Sequence, residues 1–169
     1  MTVDVRTVPA DLPEVDALLD AYLDERERTF PAAQGAYARK RTPAAEFVPP
    51  NGVFVVAYDD GVPVGCGGLR RIPDGVLDGG AGTAAATVDV RFEVKHVFVA
   101  PGGRGRGVAT AVMDALEQQA VTFGATSIVL DTNDSLAAAG AMYRSRGYER
   151  TEPFNENPNA TAWYRKPVR

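Results

Sequence analysis

The sequence predicts a mixed α/β fold, an α+β sheet with helices packed on it, and three patterns carry this prediction. Two runs rich in β-branched residues flank Asp60-Gly61, a pair that favours a tight hairpin turn. Residues 12–28 repeat apolar side chains at the spacing of an amphipathic helix. Residues 92–123 combine a strand pattern, a glycine-rich loop and a second helical pattern. The chain of 169 residues is long enough for one buried core, so we expect a single domain over 1–169.

The first half of the chain holds three further elements. "TVDVRTV" alternates valine with polar residues and predicts a strand, and Asp11 stands where the first helix would have its N-cap. A helix within 29–50 is left open, because Pro43 and the prolines after it break any continuation. Residues 73–86 are rich in glycine and alanine, so we expect a mobile loop there, followed by a strand over 88–99.

The second half predicts an alternation of helices and strands. The helix that begins at Val108 should end at Gly124, a residue that favours the C-terminal cap position. "TSIVLD" predicts a short buried strand, and Asp134 or Ser135 could cap a further helix that stops near Gly147. "ATAWYRKPV" then predicts the closing strand.

Composition limits the classes of partner and the compartment. A net charge of −4 and a pI near 5.0 argue against nucleic acid or an anionic membrane as the main partner. The N-terminus is acidic without an apolar signal core, and no apolar run is long enough to cross a bilayer. One cysteine and one histidine cannot form a disulfide or a zinc site, so we expect no metal. These features predict a cytoplasmic protein.

A loop of four glycines and two arginines separates Pro101 from Val108, immediately before a predicted helix. Helix N-termini present unpaired N–H groups and a positive dipole end, which together favour phosphate. A Walker A loop is excluded because no Gly-Lys pair lies nearby. A G-x-G-x-x-G fingerprint fails at its last position, where Val108 or Thr110 stands, although Asp131 keeps a dinucleotide site open.

Arg104, Gly107 and Ala109 fit the pattern R/Q-x-x-G-x-G/A, which resembles the pyrophosphate motif of the GNAT superfamily of N-acyltransferases. "EVKHVFVAP" before it resembles the family's cofactor strand, and "LDTNDSLAAAGAMYRSRGY" resembles its later strand and helix. The ordered resemblance spans residues 52–148. It implies a GNAT-type fold: a central, mostly antiparallel sheet, splayed at the cofactor strand, with helices on both faces.

The resemblance also implies an activity and a cofactor. A family member would transfer the acetyl group of acetyl-CoA to a primary amine by direct attack in a ternary complex, without a metal. Backbone groups of the cofactor strand would bind pantetheine, with a backbone N–H as oxyanion donor, and the loop would bind pyrophosphate. The implied cofactor-binding residues are Val97, Phe98, Val99, Arg104, Gly105, Arg106, Gly107, Val108, Ala109, Thr110 and, more weakly, Asn133.

Two residues stand at positions that carry catalysis in many family members. Tyr143 would be the general acid that protonates the CoA thiolate, and Glu93 would accept the amine proton, directly or through water. Each has an alternative: Tyr143 could be a core aromatic, and Glu93 a structural carboxylate. We interpret His96 and Cys66 as packed residues rather than catalytic ones.

The acceptor is not specified by any motif. It would be a small-molecule or peptide amine bound near residues 26–48 and 73–87, and acidic side chains could favour a cationic amine. Two other functions stay open: a non-catalytic acyl-CoA-binding or regulatory module, and a dinucleotide-binding oxidoreductase domain. Because dimerisation is common in the family, the resemblance also leaves a homodimer open.

Overall fold

The structure is a computed structural model and describes residues 2–77 and 85–168. Strands and helices alternate along the chain in an order close to the predicted one. The strands are β1 (Val3–Thr7), β2 (Gly52–Asp59), β3 (Val62–Arg71), β4 (Gly75–Leu77), β5 (Thr87–Asp89), β6 (Arg91–Val99), β7 (Ser127–Thr132), β8 (Glu149–Arg150) and β9 (Ala162–Pro167). The α-helices are α1 (Pro13–Thr29), α2 (Val108–Thr122) and α3 (Ala137–Ser145), with short 3₁₀ turns at Ala32–Gln34, Ala44–Glu46 and Pro101–Gly103.

The main sheet has the strand order β1-β2-β3-β6-β7-β9-β8. Each neighbouring pair in it is antiparallel except β6 and β7, which run parallel. The parallel pair is joined through α2, as a parallel connection requires a crossover. This confirms the predicted mixed, mostly antiparallel sheet.

The two parallel strands part after three residue pairs. Arg91–Glu93 of β6 pair with Ser127–Val129 of β7, and neither strand pairs with the other beyond that point. On its other edge, β6 carries a β-bulge: Gly67 of β3 faces both His96 and Val97, and His96 has a φ of 56°. The bulge bends β6 at the level where the cleft opens, which confirms the splay at this strand.

Helices cover both faces of the sheet. On one face, α1 packs on a cluster in which its apolar side chains meet the sheet, comprising Val15, Leu18, Leu19, Phe47, Phe54, Val56, Cys66 and Phe98. On the other face, α2 and α3 pack on the larger cluster, which includes Val55, Leu69, Phe92, Val112, Met113, Leu116, Ile128 and Tyr143. Both clusters meet β6, so this strand is held from two sides.

Local turn chemistry matches the sequence in two places. Asp60 and Gly61 have φ angles of 47° and 82°, the left-handed pair of a two-residue hairpin turn. Gly124 has a φ of 84° directly after α2, as expected for a glycine that ends a helix. Both predictions are confirmed.

Predictions of helix capping were wrong at two helices. The residue before α1 is Leu12, with no side-chain cap, rather than Asp11. The residue before α3 is Leu136, because Asn133 accepts the Ser135 N–H first and turns the chain before the helix begins. Side-chain caps depend on the entry angle of the chain, which tertiary packing decides.

The predicted strand over 88–99 is divided. Val90 lies between β5 and β6, and its N–H bonds to Thr126 Oγ1 at 2.8 Å instead of continuing a ladder. The glycine- and alanine-rich segment begins with β4, which pairs with β5 in a separate hairpin. Of residues 73–86, for which mobility was predicted, 78–84 lie outside the described ranges. The two-residue strand β8 was not predicted, since it is too short to show a pattern.

Glycines in β3 bring α2 close to the sheet, so Gly65→Ala should destabilise the fold. A Cβ at Gly65 would lie 2.6 Å from Val108 Cγ1 and 2.9 Å from the Phe98 carbonyl oxygen, which is backbone and cannot yield easily. We expect a loss of about 1–3 kcal/mol in the free energy of unfolding, measured by urea denaturation. Gly102→Ala is the control, because a Cβ there meets nothing within 4 Å. Equal stability of both variants would contradict this packing.

Candidate active site

A cavity of about 580 Å³ opens where β6 and β7 part. Its walls come from α1, the segment 37–43, the middle of β6, the end of β7 with the start of α3, and the segment 155–159. The cavity therefore lies at the only parallel junction of the described sheet, where β6 has a backbone edge without a partner strand. An extended ligand can hydrogen-bond to such an edge as an added strand would.

The N-terminus of α2 offers a site for an anion. Gly105 and Gly107 have φ angles of 72° and 77°, and Gly107 precedes the helix without a side-chain cap. Within the described residues, no protein group accepts a hydrogen bond from the backbone N–H groups of 105–110. Side chains added at these two glycines would meet nothing within 4 Å, so the loop surface is open to a ligand. Free N–H groups and the helix dipole favour phosphate here.

The two arginines of this loop tie it to the rest of the protein. Arg104 Nη2 lies 2.5 Å from Glu25 Oε2, and its Nε donates to the Val99 carbonyl at 3.2 Å. Arg106 Nη1 lies 2.7 Å from Asp59 Oδ2. Both side chains stay partly exposed, at 49% and 41%. They hold the loop in place while their remaining N–H groups face solvent, where a phosphate could meet them.

Residues 97–99 lie on β6 beyond the last pairing with β7. Phe98 packs on the α1 side, while Val97 and Val99 pack on the α2 side. Val97 also lines the cavity. Because the side chains are committed to packing, any cofactor contact by these residues would use their backbone groups.

Tyr143 of α3 is 7% exposed and lines the cavity. It packs against Tyr148 and Tyr164, with ring centroids 5.9 and 6.3 Å away. Burial, and to a lesser extent the charge of Asp131, raise the pKa of the Tyr143 phenol to about 12. Its hydroxyl has no hydrogen-bond partner among the described residues. It is therefore a protonated donor at neutral pH that faces a cavity.

The structure does not place Glu93 where a base could reach a substrate. Its side chain is 1% exposed and does not line the cavity. One carboxylate oxygen accepts from Arg70 at 2.8 Å, and Lys95 lies 3.5 Å from the other. Arg70 also pairs with Glu46 at 2.5 Å. Glu93 thus fixes two cations that do line the cavity, which favours the structural alternative for this residue.

Two carboxylates line the cavity, the exposed Glu156 and the half-buried Asp131 at the end of β7, and neither was predicted to be catalytic. Asp131 is fixed in place by other side chains. Its two oxygens accept from Asn155 Nδ2 at 2.6 Å and from Asn157 Nδ2 at 2.9 Å. Each carboxylate oxygen keeps a lone pair for a further donor. The available signal was the alternating asparagines of "FNENPN", but nothing local shows that they reach a strand more than twenty residues earlier.

Asn133 is buried, and protein groups engage its amide. Its Nδ2 donates to Gln34 Oε1 at 2.7 Å and to the Asn159 carbonyl at 3.0 Å, while its Oδ1 accepts from Ser135 N–H. Asn159 in turn holds Ala38 through two hydrogen bonds, at 2.9 and 2.7 Å. These contacts favour a structural role for Asn133, joining both sides of the cavity, over the predicted contact with a cofactor.

His96 and Cys66 behave as packed residues, as interpreted from the sequence. His96 Nε2 accepts the Thr42 N–H at 3.1 Å, and its ring packs edge-on against Tyr22 and Phe47. Burial, then nearby cations, lower the pKa of His96 to about 3, so the ring is neutral at pH 7. Cys66 is fully buried, and burial raises the pKa of its thiol to about 12, which removes it as a nucleophile.

The Acetyltransferase (GNAT) family model matches residues 15–148 of this sequence. The chain belongs to the GNAT acetyltransferase family. The matched region contains β6, the glycine-arginine loop, α2 and Tyr143, so it covers the anion site and all of the cavity wall except the segment 155–159.

Similar proteins agree with this membership. An uncharacterized N-acetyltransferase of Schizosaccharomyces pombe is 30% identical over 89% of this chain and 84% of its own length. An IAA acetyltransferase of Azospirillum brasilense is 29% identical over 88% and 87%. The solved PaiA N-acetyltransferase of Thermoplasma acidophilum, in complex with coenzyme A, shares the fold with a TM-score of 0.68 at 11% identity, over 99% and 100% of the two chains.

The protein is therefore an acyltransferase, and its GNAT fold supports the use of an acyl-CoA. Family membership overturns the dinucleotide-binding oxidoreductase as an interpretation of the loop, and the acetyltransferase relatives argue against the non-catalytic module. Among the described residues, no cluster of His, Cys, Asp or Glu could hold a metal ion. No helix in that part of the chain is long and apolar enough to cross a membrane.

The buried His96 should make the protein less stable as the pH falls. Between about pH 6.5 and pH 3 the unfolded chain binds a proton on this imidazole and the folded protein does not, so stability decreases toward acid. The decrease is about 1.4 kcal/mol per pH unit at most. His96→Gln removes this contribution. The free energy of unfolding of the variant, measured with urea from pH 7 to pH 4.5, should therefore fall less steeply with decreasing pH than that of the wild type. If the free energy of unfolding fell equally steeply with pH in wild type and variant, the folded protein would bind this proton.

Proposed function

We propose that the protein transfers the acetyl group of acetyl-CoA to a primary amine by direct attack in a ternary complex. One observation carries the proposal: β6 leaves an unpaired edge at the cavity that Tyr143 also lines, and the chain continues from this strand into the loop whose N–H groups at 105–110 are unpaired among the described residues. Phosphate, an extended amide chain and a thiol leaving group are three parts of CoA, and each has a matching protein group here.

The cofactor would lie across the strand and the loop. The pyrophosphate accepts from the backbone N–H groups of 105–110, with Arg104 and Arg106 beside it. The amides of pantetheine pair with β6 at 97–99, where β7 no longer does. The thioester then reaches the cavity between Val97 and Tyr143, both of which line it.

Two protein groups act on the reacting atoms. The neutral amine nitrogen attacks the thioester carbon, and the backbone N–H of Val97 stabilises the oxyanion. When the carbon–sulfur bond breaks, Tyr143 donates its proton to the thiolate, for which its raised pKa keeps the phenol protonated. Holding both substrates together contributes up to about 7–11 kcal/mol to lowering the barrier.

Asp131 replaces Glu93 as our candidate for the group that receives the amine proton. It lines the cavity and influences Tyr143, whereas Glu93 is enclosed by Arg70 and Lys95. His96 is not the candidate, because its Nε2 already accepts the Thr42 N–H and its ring packs against Tyr22 and Phe47. Glu93 keeps an indirect role through the two cations that it positions.

Calorimetric titration with acetyl-CoA tests the cofactor assignment. We expect acetyl-CoA and CoA to bind and NADH not to bind. Arg104→Glu should weaken acetyl-CoA binding by about tenfold or more, because it places a negative charge beside the pyrophosphate. Arg150→Glu is the matched control, since Arg150 is also exposed and ion-paired but lies on β8. Binding of NADH without acetyl-CoA, or an equal effect of both variants, would contradict the assignment.

Tyr143→Phe tests the general acid. We expect kcat to fall about 10²–10⁴-fold while the Kd for acetyl-CoA stays within about twofold. In the wild type, deprotonation of Tyr143 should not lower the activity below about pH 10, because the pKa of its phenol is about 12. Tyr148→Phe is the control, because its hydroxyl donates to Glu117 and does not line the cavity. An unchanged kcat for Tyr143→Phe would exclude the acid role.

A further inference from the structure

Arg26 of α1 is a buried cation without a carboxylate partner. It lines the cavity and is 7% exposed. Within 2–77 and 85–168, no acidic side chain lies within 4 Å of its guanidinium. Its Nη1 is buried and has no hydrogen-bond acceptor. The closest aromatic interaction is with Tyr37, whose ring centroid lies 5.7 Å from the guanidinium carbon.

The other cations of the cavity wall are either exposed to solvent, as Lys40 is, or paired with a carboxylate. Arg41 pairs with Asp16, and Arg70 pairs with Glu46 and Glu93. Arg26 differs from them, since its neighbours Tyr22 and Tyr37 are phenols whose pKa burial raises, so they stay uncharged. A buried guanidinium without an anion is unfavourable, because it has left water and gained only a ring face. The missing partner is therefore expected from outside the chain.

The opposite charge lies elsewhere in the same cavity. Asp131 is held by the two asparagine amides rather than by a cation, so its negative charge is not neutralised within the described residues. Asp131 and Arg26 both act on the phenol of Tyr22, Asp131 also acts on that of Tyr143, and Arg26 also acts on that of Tyr37. The cavity thus holds a negative group toward the proposed acid and a positive group toward Tyr37, with Tyr22 near both.

We propose that the acceptor is a small amino carboxylate, with its carboxylate bound by Arg26 and its amine presented to Asp131. The proposal rests on the proposed acetyl transfer and names its substrate class. A bidentate carboxylate satisfies the guanidinium, and the ammonium group pairs with Asp131. The ammonium loses one proton to solvent, the neutral amine attacks the thioester, and the proton that its nitrogen loses as the amide forms passes to Asp131. The cationic amine considered from the sequence would leave Arg26 unpaired and repelled.

Matched substrates test the assignment with acetyl-CoA and thiol release as the assay. The twenty proteinogenic amino acids are compared with their decarboxylated amines, such as phenylalanine with phenethylamine and lysine with cadaverine. At least one amino acid should be used with a kcat/KM about tenfold or more above its matched amine. Failure of every amino acid, or equal use of each pair, would overturn the proposal.

Variants separate the two ends of the acceptor. Arg26→Gln should lower kcat/KM for the amino acid about 10- to 100-fold, mainly through KM, and leave the matched amine within about twofold. Arg26→Lys should recover part of the loss. Asp131→Asn should lower kcat/KM for both substrates, because both carry the amine. Equal losses for both substrates in Arg26→Gln would show that Arg26 does not bind the carboxylate.

Two controls keep the outcomes distinct. Removal of an unpaired buried cation should leave Tm unchanged or raise it, so a large fall in Tm for Arg26→Gln would assign Arg26 a structural role and overturn the proposal.

Calorimetry with acetyl-CoA separates a failure of the proposed acceptor class from a failure of the proposed acetyl transfer. Normal binding of acetyl-CoA without a preference for amino carboxylates rejects only the acceptor class. Absence of acetyl-CoA binding rejects the proposed function itself.

Discussion

The separation of β6 from β7 creates the backbone edge around which the cavity is built. These strands share three residue pairs and then diverge, so the backbone of β6 beyond Glu93 lacks a partner on that edge. Unpaired backbone groups in a sheet interior are costly unless another group satisfies them. Such an edge lies where β6 and β7 part, and the cavity, Tyr143 and Asp131 all lie there.

The elements around the cleft hold it open. The bulge at His96 bends β6, and the buried ring is fixed by the Thr42 N–H and by aromatic neighbours on the α1 side. On the other side, Asn133 and the asparagines of 155–159 join β7 to the segment at 34–38. Rigid walls of this kind keep a site organised before any ligand arrives.

The sequence predicted those features that depend on interactions within a few residues. Asp60-Gly61, Gly124 and the loop at 102–107 follow from backbone chemistry within a few residues, and the family resemblance gave the sheet. The pairing of Glu93 with Arg70 could not be read in this way, because it joins strands more than twenty residues apart. The same holds for the hydrogen bonds of Asp131 with its two asparagines. It also holds for Arg26, because a sequence does not show which carboxylates lie near a side chain in the fold.

A crystal structure of the complex with CoA would show whether the edge of β6 and the loop hold the cofactor. We expect pyrophosphate oxygens within about 3 Å of backbone N–H groups in 105–110, and pantetheine amides paired with β6 at 97–99. We also expect the thiol beside the hydroxyl of Tyr143. CoA bound elsewhere, or a β6 edge that closes onto β7 while CoA lies outside the cleft, would show that the cleft is not the cofactor site.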